Sequence, residues 1–248
     1  MSIEWISILI VVGMLSMMVL GLPLAWSIGS VAVVLTLTKF DLNVMVMLVS
    51  RVFDMSMNYT LMSVPLFVLM AGILQRSGVA EHLFRAVHVW TGRLRGGLAV
   101  GTIIANAIMA TMVGVIGAEI VTFGLLALPE MLAKKYNYKL AIGSVAAGGG
   151  LATLIPPSVV FIVYGMTAGC SVGELFLAGI IPGIGLGLIF ILYVIVHCWR
   201  HPESAPVTAA DEETLTLREK LATLRGLVLP VLIAGGVKFV LEDFRVSM

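Results

Sequence analysis

Residues 140–166, LAIGSVAAGGGLATLIPPSVVFIVYGM, are apolar enough to cross a bilayer, yet they carry Gly148-Gly149-Gly150 and Pro156-Pro157 near their centre. Proline removes a backbone donor and clashes with the preceding turn, and lipid offers nothing to satisfy the groups so freed. An interruption of this kind survives only inside protein or beside a polar cavity. Broken membrane helices of this type bring carbonyls and helix ends to the midplane, where they hold ions and small solutes. A membrane pathway is therefore the first reading of the chain.

Composition agrees. Hydrophobic residues make up 60% of the 248 and charged residues 12%, and the mean hydropathy is +1.09. That is more apolar surface than a soluble domain of this size buries, and the fold class it implies is an all-α polytopic membrane protein in a lipid bilayer. The formal charge is +1, and the Lys and Arg residues lie between apolar runs without forming a patch, which argues against nucleic acid as a partner. The first apolar run follows Glu4 with no basic stretch before it and no small-residue cleavage site, so it reads as a retained helix. Cys170 and Cys198 lie at opposite ends of one apolar run and are expected as free thiols. No Ser/His/Asp or Cys/His set, HExxH motif or phosphate-binding glycine loop is present, so neither an enzyme nor an ATP-driven machine is expected.

The chain divides into five blocks. Residues 1–96 read as scaffold-like helices: a hairpin of Ile3–Leu20 and Leu24–Thr38, an interfacial stretch from Asn43 to Asn58, a span from Tyr59 to Leu74 with Pro65 inside it, and an amphipathic helix from Val79 to Arg95. In that last helix Val79, Leu83, Val87, Trp90 and Leu94 form the apolar stripe, and His82 and His88 fall on the solvated face. Residues 97–131 are too few for two full spans of about 20 residues each plus a turn. Two short helices of about 24 Å and about 21 Å fit instead, meeting at Val113-Gly114-Val115-Ile116-Gly117 as the tip of a re-entrant helical hairpin. Residues 132–200 hold the broken, discontinuous helix and the span after it. Residues 201–225 are a polar cytoplasmic linker, and 226–248 begin an incomplete next span, with Lys238, Glu242, Asp243 and Arg245 interrupting it.

The residues that could carry chemistry cluster at the two breaks. Gly114, Gly117 and Glu119 mark the hairpin tip, and Gly148, Gly149, Gly150, Thr153, Pro156, Pro157 and Ser158 mark the broken helix. A carboxylate near the bilayer centre costs about 3 kcal/mol or more, so Glu119 is a site candidate by default. Its structural alternative is a cap on the second hairpin arm, accepting free N–H groups at the positive end of the helix dipole. The carbonyls and hydroxyls of Gly148–Ser158 are hard oxygen donors suited to an alkali cation, sodium above all. The alternative is close helix packing through small residues. Glu130 and Glu174, at the ends of apolar runs, read as interfacial, and the fifteen methionines as packing.

Val64-Pro65-Leu66-Phe67, Leu94-Arg95-Gly96-Gly97-Leu98-Ala99, Leu128-Pro129-Glu130-Met131, Ala146-Ala147-Gly148-Gly149, Leu154-Ile155-Pro156-Pro157-Ser158 and Leu175-Phe176-Leu177-Ala178-Gly179 stand in an order and spacing that resembles the large membrane subunit of tripartite ATP-independent periplasmic (TRAP) transporters. That resemblance covers about residues 1–225 and corresponds to the N-terminal half of such a permease. It implies a secondary active transporter of the inner membrane, a sodium symport system importing small organic acids such as C4-dicarboxylates. It further implies a small four-helix membrane subunit and a periplasmic substrate-binding protein as partners, and one half of an inverted repeat. Many members of the family carry a Ser-Gly-Ser-Ser turn at the hairpin tip where this chain has Val113-Gly114-Val115-Ile116. The competing expectation is a truncated scaffold or assembly fragment that binds partner subunits and transports nothing.

Basic residues orient the chain. Four lie in 75–96, three in 132–139 and four in 198–225, against Lys39 and Arg51 alone on the opposite side. By the positive-inside rule the N-terminus is outside, both ends of Gly97–Met131 are cytoplasmic, and Thr167–Gly173 is outside. A cysteine placed at Lys134 should therefore resist an impermeant thiol reagent in intact cells and react after permeabilisation; labelling from the periplasm would contradict the hairpin.

Overall fold

The structure, a computed structural model, describes residues 3–39, 42–92 and 94–205. The linker 201–225 from Pro206 onward and the whole of 226–248 lie outside the described residues. Among the described residues the chain is helical throughout and has no strand. It separates into two compact units that divide between Tyr59 and Thr60.

The first unit holds α1 (Ile3–Val19), α2 (Leu24–Lys39) and α3 (Leu42–Ser56). Gly21 adopts a left-handed backbone with φ 86°, and Pro23 precedes α2, so the chain reverses within a few residues. The hairpin closes where Gly13 faces Val31 and the Ser30 hydroxyl meets Met17 Sδ at 3.0 Å.

The second unit contains α4 (Tyr59–Arg76), which runs through Pro65, and α5 (Val79–Thr91), which starts after the left-handed Gly78. α6 (Gly97–Val113) and α7 (Ile116–Ala133) form a hairpin joined by only Gly114 and Val115. α8 (Tyr138–Gly150) packs along both arms, its first turn capped by Asn137, whose Oδ1 accepts from the Lys139 N–H at 2.9 Å. A single 3-10 turn, Leu151–Thr153, and an irregular stretch through Ser158 lead to α9 (Val159–Ala168) and α10 (Val172–Arg200). At about 1.5 Å per residue α10 is about 43 Å long. α7 and α10 are long and apolar enough to cross a membrane, and α1, α2, α6 and α9 are shorter apolar helices. Cys170 and Cys198 are both free thiols, one exposed and one buried.

α6 is the axis of this unit. Leu98, Ala99, Val100, Ile103, Ala105, Met109, Ala110, Met112 and Val113 are all buried, because α5, α7, α8, α10 and the 3-10 turn pack around it. Its N-terminus is held tightly: a methyl group on Gly97 would lie 2.0 Å from the Thr91 carbonyl oxygen. The Leu98 N–H donates to the buried Tyr136 hydroxyl at 3.4 Å.

α5 buries Leu83 and Val87 of its apolar stripe, but its buried face is turned away from the stripe's C-terminal end. Ala80, Leu83, Phe84, Val87 and Thr91 are buried, while Trp90 and Leu94 are exposed. The rotation follows from the α6 contact at Thr91 and from Phe84, whose ring meets Phe123 of α7 edge-on. It also corrects the reading of His88. That ring is half-buried, stacks on Phe84, and places Nε2 3.6 Å from Glu130 Oε1. Lys134 Nζ lies 3.8 Å from the same oxygen. Glu130 is thus a bridge between α5 and α7 at the basic end of the hairpin, although partly exposed pairs of this kind contribute at most about 1 kcal/mol.

The tightest contact in this packing gives a stability test. Gly97→Ala should destabilise the detergent-solubilised chain by about 1–3 kcal/mol, since backbone and not a movable side chain blocks the methyl. Gly143→Ala, with nothing within 4 Å, should change it by less than about 1 kcal/mol. Thermal unfolding of the two variants side by side checks the contrast.

Candidate functional site

The hairpin tip rests on the broken helix. Gly114 ends α6 in a left-handed conformation, φ 61° and ψ 20°, and a methyl group there would lie 1.8 Å from the Pro157 carbonyl oxygen and 3.3 Å from Ser158 Cα. Only glycine satisfies both requirements. The Val159 N–H, at the start of α9, donates to the Gly114 carbonyl at 3.5 Å. Two interruptions far apart in sequence are therefore stitched to each other, Pro157 and Ser158 being buried at the junction.

The helix breaks after its glycines and not at them. Gly148, Gly149 and Gly150 belong to α8, and Gly150 keeps right-handed helical angles. Leu154 and Ile155 N–H groups still reach back to the Leu151 carbonyl, at 3.0 and 2.9 Å. Regular structure ends only over residues 154–158, where Pro156 and Pro157 are joined by a cis peptide bond. The glycines instead let other helices approach: a Cβ at Gly148 would meet Asn106 at 2.9–3.1 Å, and one at Gly149 would meet Ile120 Cγ1 at 2.4 Å. Gly150 has nothing within 4 Å. Gly117 is exposed and equally open, so it does not join the other tip residues.

A second glycine series holds the break from behind. On α10, Gly179, Gly183 and Gly187 repeat every four residues; added methyls would lie 2.6 Å from the Leu154 carbonyl oxygen, 2.9 Å from Ile155 Cγ1 and 3.5 Å from Leu151 Cδ1 respectively. This small-xxx-small pattern is readable in the sequence as a packing stripe.

Three residues of this region bury side-chain oxygens without partners. Asn106 is 0% exposed, Glu119 1% and Ser158 0%, and Asn106 Oδ1, both Glu119 carboxyl oxygens and Ser158 Oγ have no hydrogen-bond partner among the described residues. Asn106 Nδ2 donates to the Thr102 carbonyl at 2.9 Å, which leaves its amide oxygen as the unpartnered atom. Glu119 lies on the buried face of α7 with Phe123, Ala127 and Met131. It does not cap α7: the cap position is Val115, without a side-chain bond. Ser158 likewise begins α9 without capping it. The Thr153 hydroxyl is committed to the Gly150 carbonyl at 2.7 Å, closing the 3-10 turn.

Buried polar atoms are nearly always paired, so such a set calls for a counterpart. Hard oxygens, one of them a carboxylate, fit a small cation or a proton. Asn106 was not among the residues singled out from sequence. Its signal was present: an amide within GLAVGTIIANAIMATMV is costly in a membrane unless it works.

Comparison with known proteins decides the family. Residues 11–242 match the DctM component of the tripartite ATP-independent periplasmic transporters. The chain belongs to that family. It is 34% identical over 209 residues to the C4-dicarboxylate TRAP transporter large permease protein DctM of Pseudomonas aeruginosa, covering 82% of this chain and 47% of the relative. It is 30% identical over 223 residues to the 2,3-diketo-L-gulonate TRAP transporter large permease protein YiaN of Escherichia coli, covering 88% and 50%. It is 29% identical over 231 residues to the ectoine TRAP transporter large permease protein TeaC of Halomonas elongata, covering 92% and 53%. The chain thus spans about half the length of these relatives. The relatives are named as permease subunits and not as enzymes, and the apolar helices agree with a multi-pass protein of the inner membrane.

The packing ranks three glycine substitutions. Gly114→Ala combines a backbone clash with a left-handed φ and should destabilise most, by about 2–5 kcal/mol. Gly149→Ala presses chiefly on the end of the Ile120 side chain and should cost about 1–3 kcal/mol. Gly150→Ala should be neutral within about 1 kcal/mol. Unfolding of the purified chain in detergent measures the order, and a Gly114→Ala protein as stable as its parent would contradict the docked tip.

Proposed function

We propose that this chain supplies one half of the translocation site of a TRAP permease, a secondary active transporter importing small carboxylates across the inner membrane under a sodium gradient. The observation that carries the reading is the junction of hairpin tip and broken helix, with unpartnered hard oxygens packed beside it. In this proposal the hairpin is re-entrant, both basic ends lying on the cytoplasmic side. In this proposal sodium is held by the Ser158 hydroxyl and by backbone carbonyls of Gly114, Pro156 and Pro157 at the junction, with Glu119 setting the charge nearby. Gly148 and Gly149 let the hairpin approach, while the Gly150 and Thr153 oxygens stay engaged with each other. Backbone carbonyls would replace the hydroxyls of the serine-rich turn, because Val113, Val115 and Ile116 offer none.

The transported acid would be delivered by a periplasmic binding protein, and a small four-helix membrane subunit would hold the scaffold helices against which the hairpin moves. C4-dicarboxylates are the first class to test, since the P. aeruginosa relative is named for them, while the named diketogulonate and ectoine relatives widen the range to other small organic solutes.

Uptake in proteoliposomes tests this. Reconstituted with the remaining membrane components and the binding protein of a TRAP system, this chain should support accumulation of a labelled carboxylate when sodium is placed outside, and Gly149→Leu should lower the rate at least about tenfold by separating α8 from the hairpin. Equal uptake with and without the gradient would remove sodium. Assembly with the partners but no uptake of any organic acid would favour the scaffold reading.

A further inference from the structure

The base of the hairpin, at the opposite end from its tip, is a three-way joint. α6 begins there at Gly97 and α7 ends there at Ala133. Three contacts close it. A methyl group on Gly96 would lie 2.6 Å from Cys198 Sγ, near the end of α10. The Asn137 N–H, in the turn between α7 and α8, donates to the Ser204 carbonyl just past α10 at 2.9 Å. The Leu98 N–H reaches the Tyr136 hydroxyl of that same turn at 3.4 Å. The start of α6, the α7–α8 turn and the end of α10 therefore meet at one place.

Each of the three brings an exposed cation. Arg95 stands beside Gly96, Lys135 beside Tyr136, Lys139 two residues after Asn137 and Arg200 two residues after Cys198; all four are exposed. None of them is in an ion pair among the described residues, whereas Lys134 is engaged by Glu130. Within 94–98, 134–139 and 197–205 the one carboxylate is Glu203, so the joint carries excess positive charge. Trp199 is 75% exposed and Tyr138 63%, and aromatic side chains of this kind favour the level of lipid headgroups. α10, long and apolar enough to cross a membrane, ends at the same place.

Lys135 is the most informative of the four. Its φ is 59°, and it is the one residue other than glycine with a positive φ among the described residues. The Lys135 N–H donates to the Leu132 carbonyl and the Tyr136 N–H to the Met131 carbonyl, both at 3.0 Å. Lys135 thus fills the left-handed position that closes a helix C-terminus, where glycine is the unstrained choice. A lysine there strains the backbone and adds nothing to the turn's hydrogen bonds, so its charge is what needs a purpose.

We propose that this joint binds the headgroup phosphate of an anionic phospholipid, with Arg95, Lys135, Lys139 and Arg200 sharing the charge and Trp199 and Tyr138 seated among the neighbouring lipids. By the positive-inside rule the lipid belongs to the cytoplasmic leaflet. Held there, it bridges the three segments that meet at the base of the hairpin. The site requires only that the chain lies in a membrane, and it stands apart from the sodium reading.

Thermal unfolding of the purified chain in detergent, titrated with lipid, tests the site without partners or substrate. Phosphatidylglycerol should raise the melting temperature saturably, and phosphatidylcholine or soluble glycerol phosphate at the same concentration should raise it far less. Lys135→Gln and Arg200→Gln should each raise the apparent Kd for phosphatidylglycerol about fivefold, while Arg51→Gln, on α3 of the first unit, should leave it unchanged. Lys135→Gly separates charge from fold: without lipid it should melt above the parent, because glycine relieves the left-handed backbone, yet its Kd should rise as in Lys135→Gln. Equal stabilisation by phosphatidylcholine would mean that apolar contact alone acts, and would overturn the headgroup site. Equal stabilisation by glycerol phosphate would make it a site for soluble phosphates and overturn the lipid. A parental Kd in both Lys135→Gln and Lys135→Gly would overturn the role given to the strained lysine and the proposal with it.

Discussion

Everything in the second unit depends on covering one defect, the irregular backbone between Leu154 and Ser158 in a protein otherwise built of apolar helices. In lipid each unsatisfied backbone group costs several kcal/mol, so the stretch must be enclosed by protein. Gly114 reaches it from one side, with its own carbonyl taking the Val159 N–H, and Gly179 and Gly183 of α10 approach from the other. Glycine recurs at these contacts because backbone must meet backbone. The defect explains the docked hairpin tip and the glycine stripe on α10 together.

Covering the break also gathers polar groups that would be too costly alone. Asn106 of α6, Glu119 of α7 and Ser158 just before α9 are all buried, and Asn106 Oδ1, both Glu119 oxygens and Ser158 Oγ have no partner among the described residues. A purely structural junction would gain stability by replacing them with apolar side chains. Their burial without partners is the physical argument behind the ion-handling site proposed above.

Much of this was legible in the sequence. Apolar run lengths, the basic residues flanking 97–131, and Gly21-Leu22-Pro23 between the first two runs mark out the helices, because hydropathy and turn chemistry act locally. What was not legible is which face of each helix meets protein. In α5 the apolar stripe pointed to Trp90 and Leu94, yet Phe84 and Thr91 are inside; where lipid is a permitted neighbour, an apolar residue carries no information about burial. The glycine triplet was similarly ambiguous, since Gly148 and Gly149 serve packing and the prolines alone end the regular helix. Glu119 stood out from its cost, whereas Asn106 emerged only once α6 and α7 had been laid against α8.

The most direct measurement of the central claim is whether hairpin tip and broken helix touch in the membrane. In a chain with Cys170 and Cys198 replaced by alanine, cysteines introduced together at Val115 and Val159 should be joined by a short thiol cross-linker in native membranes. If both single cysteines react with a small thiol reagent and the pair is never joined, the tip does not rest on the break and the site described here does not exist.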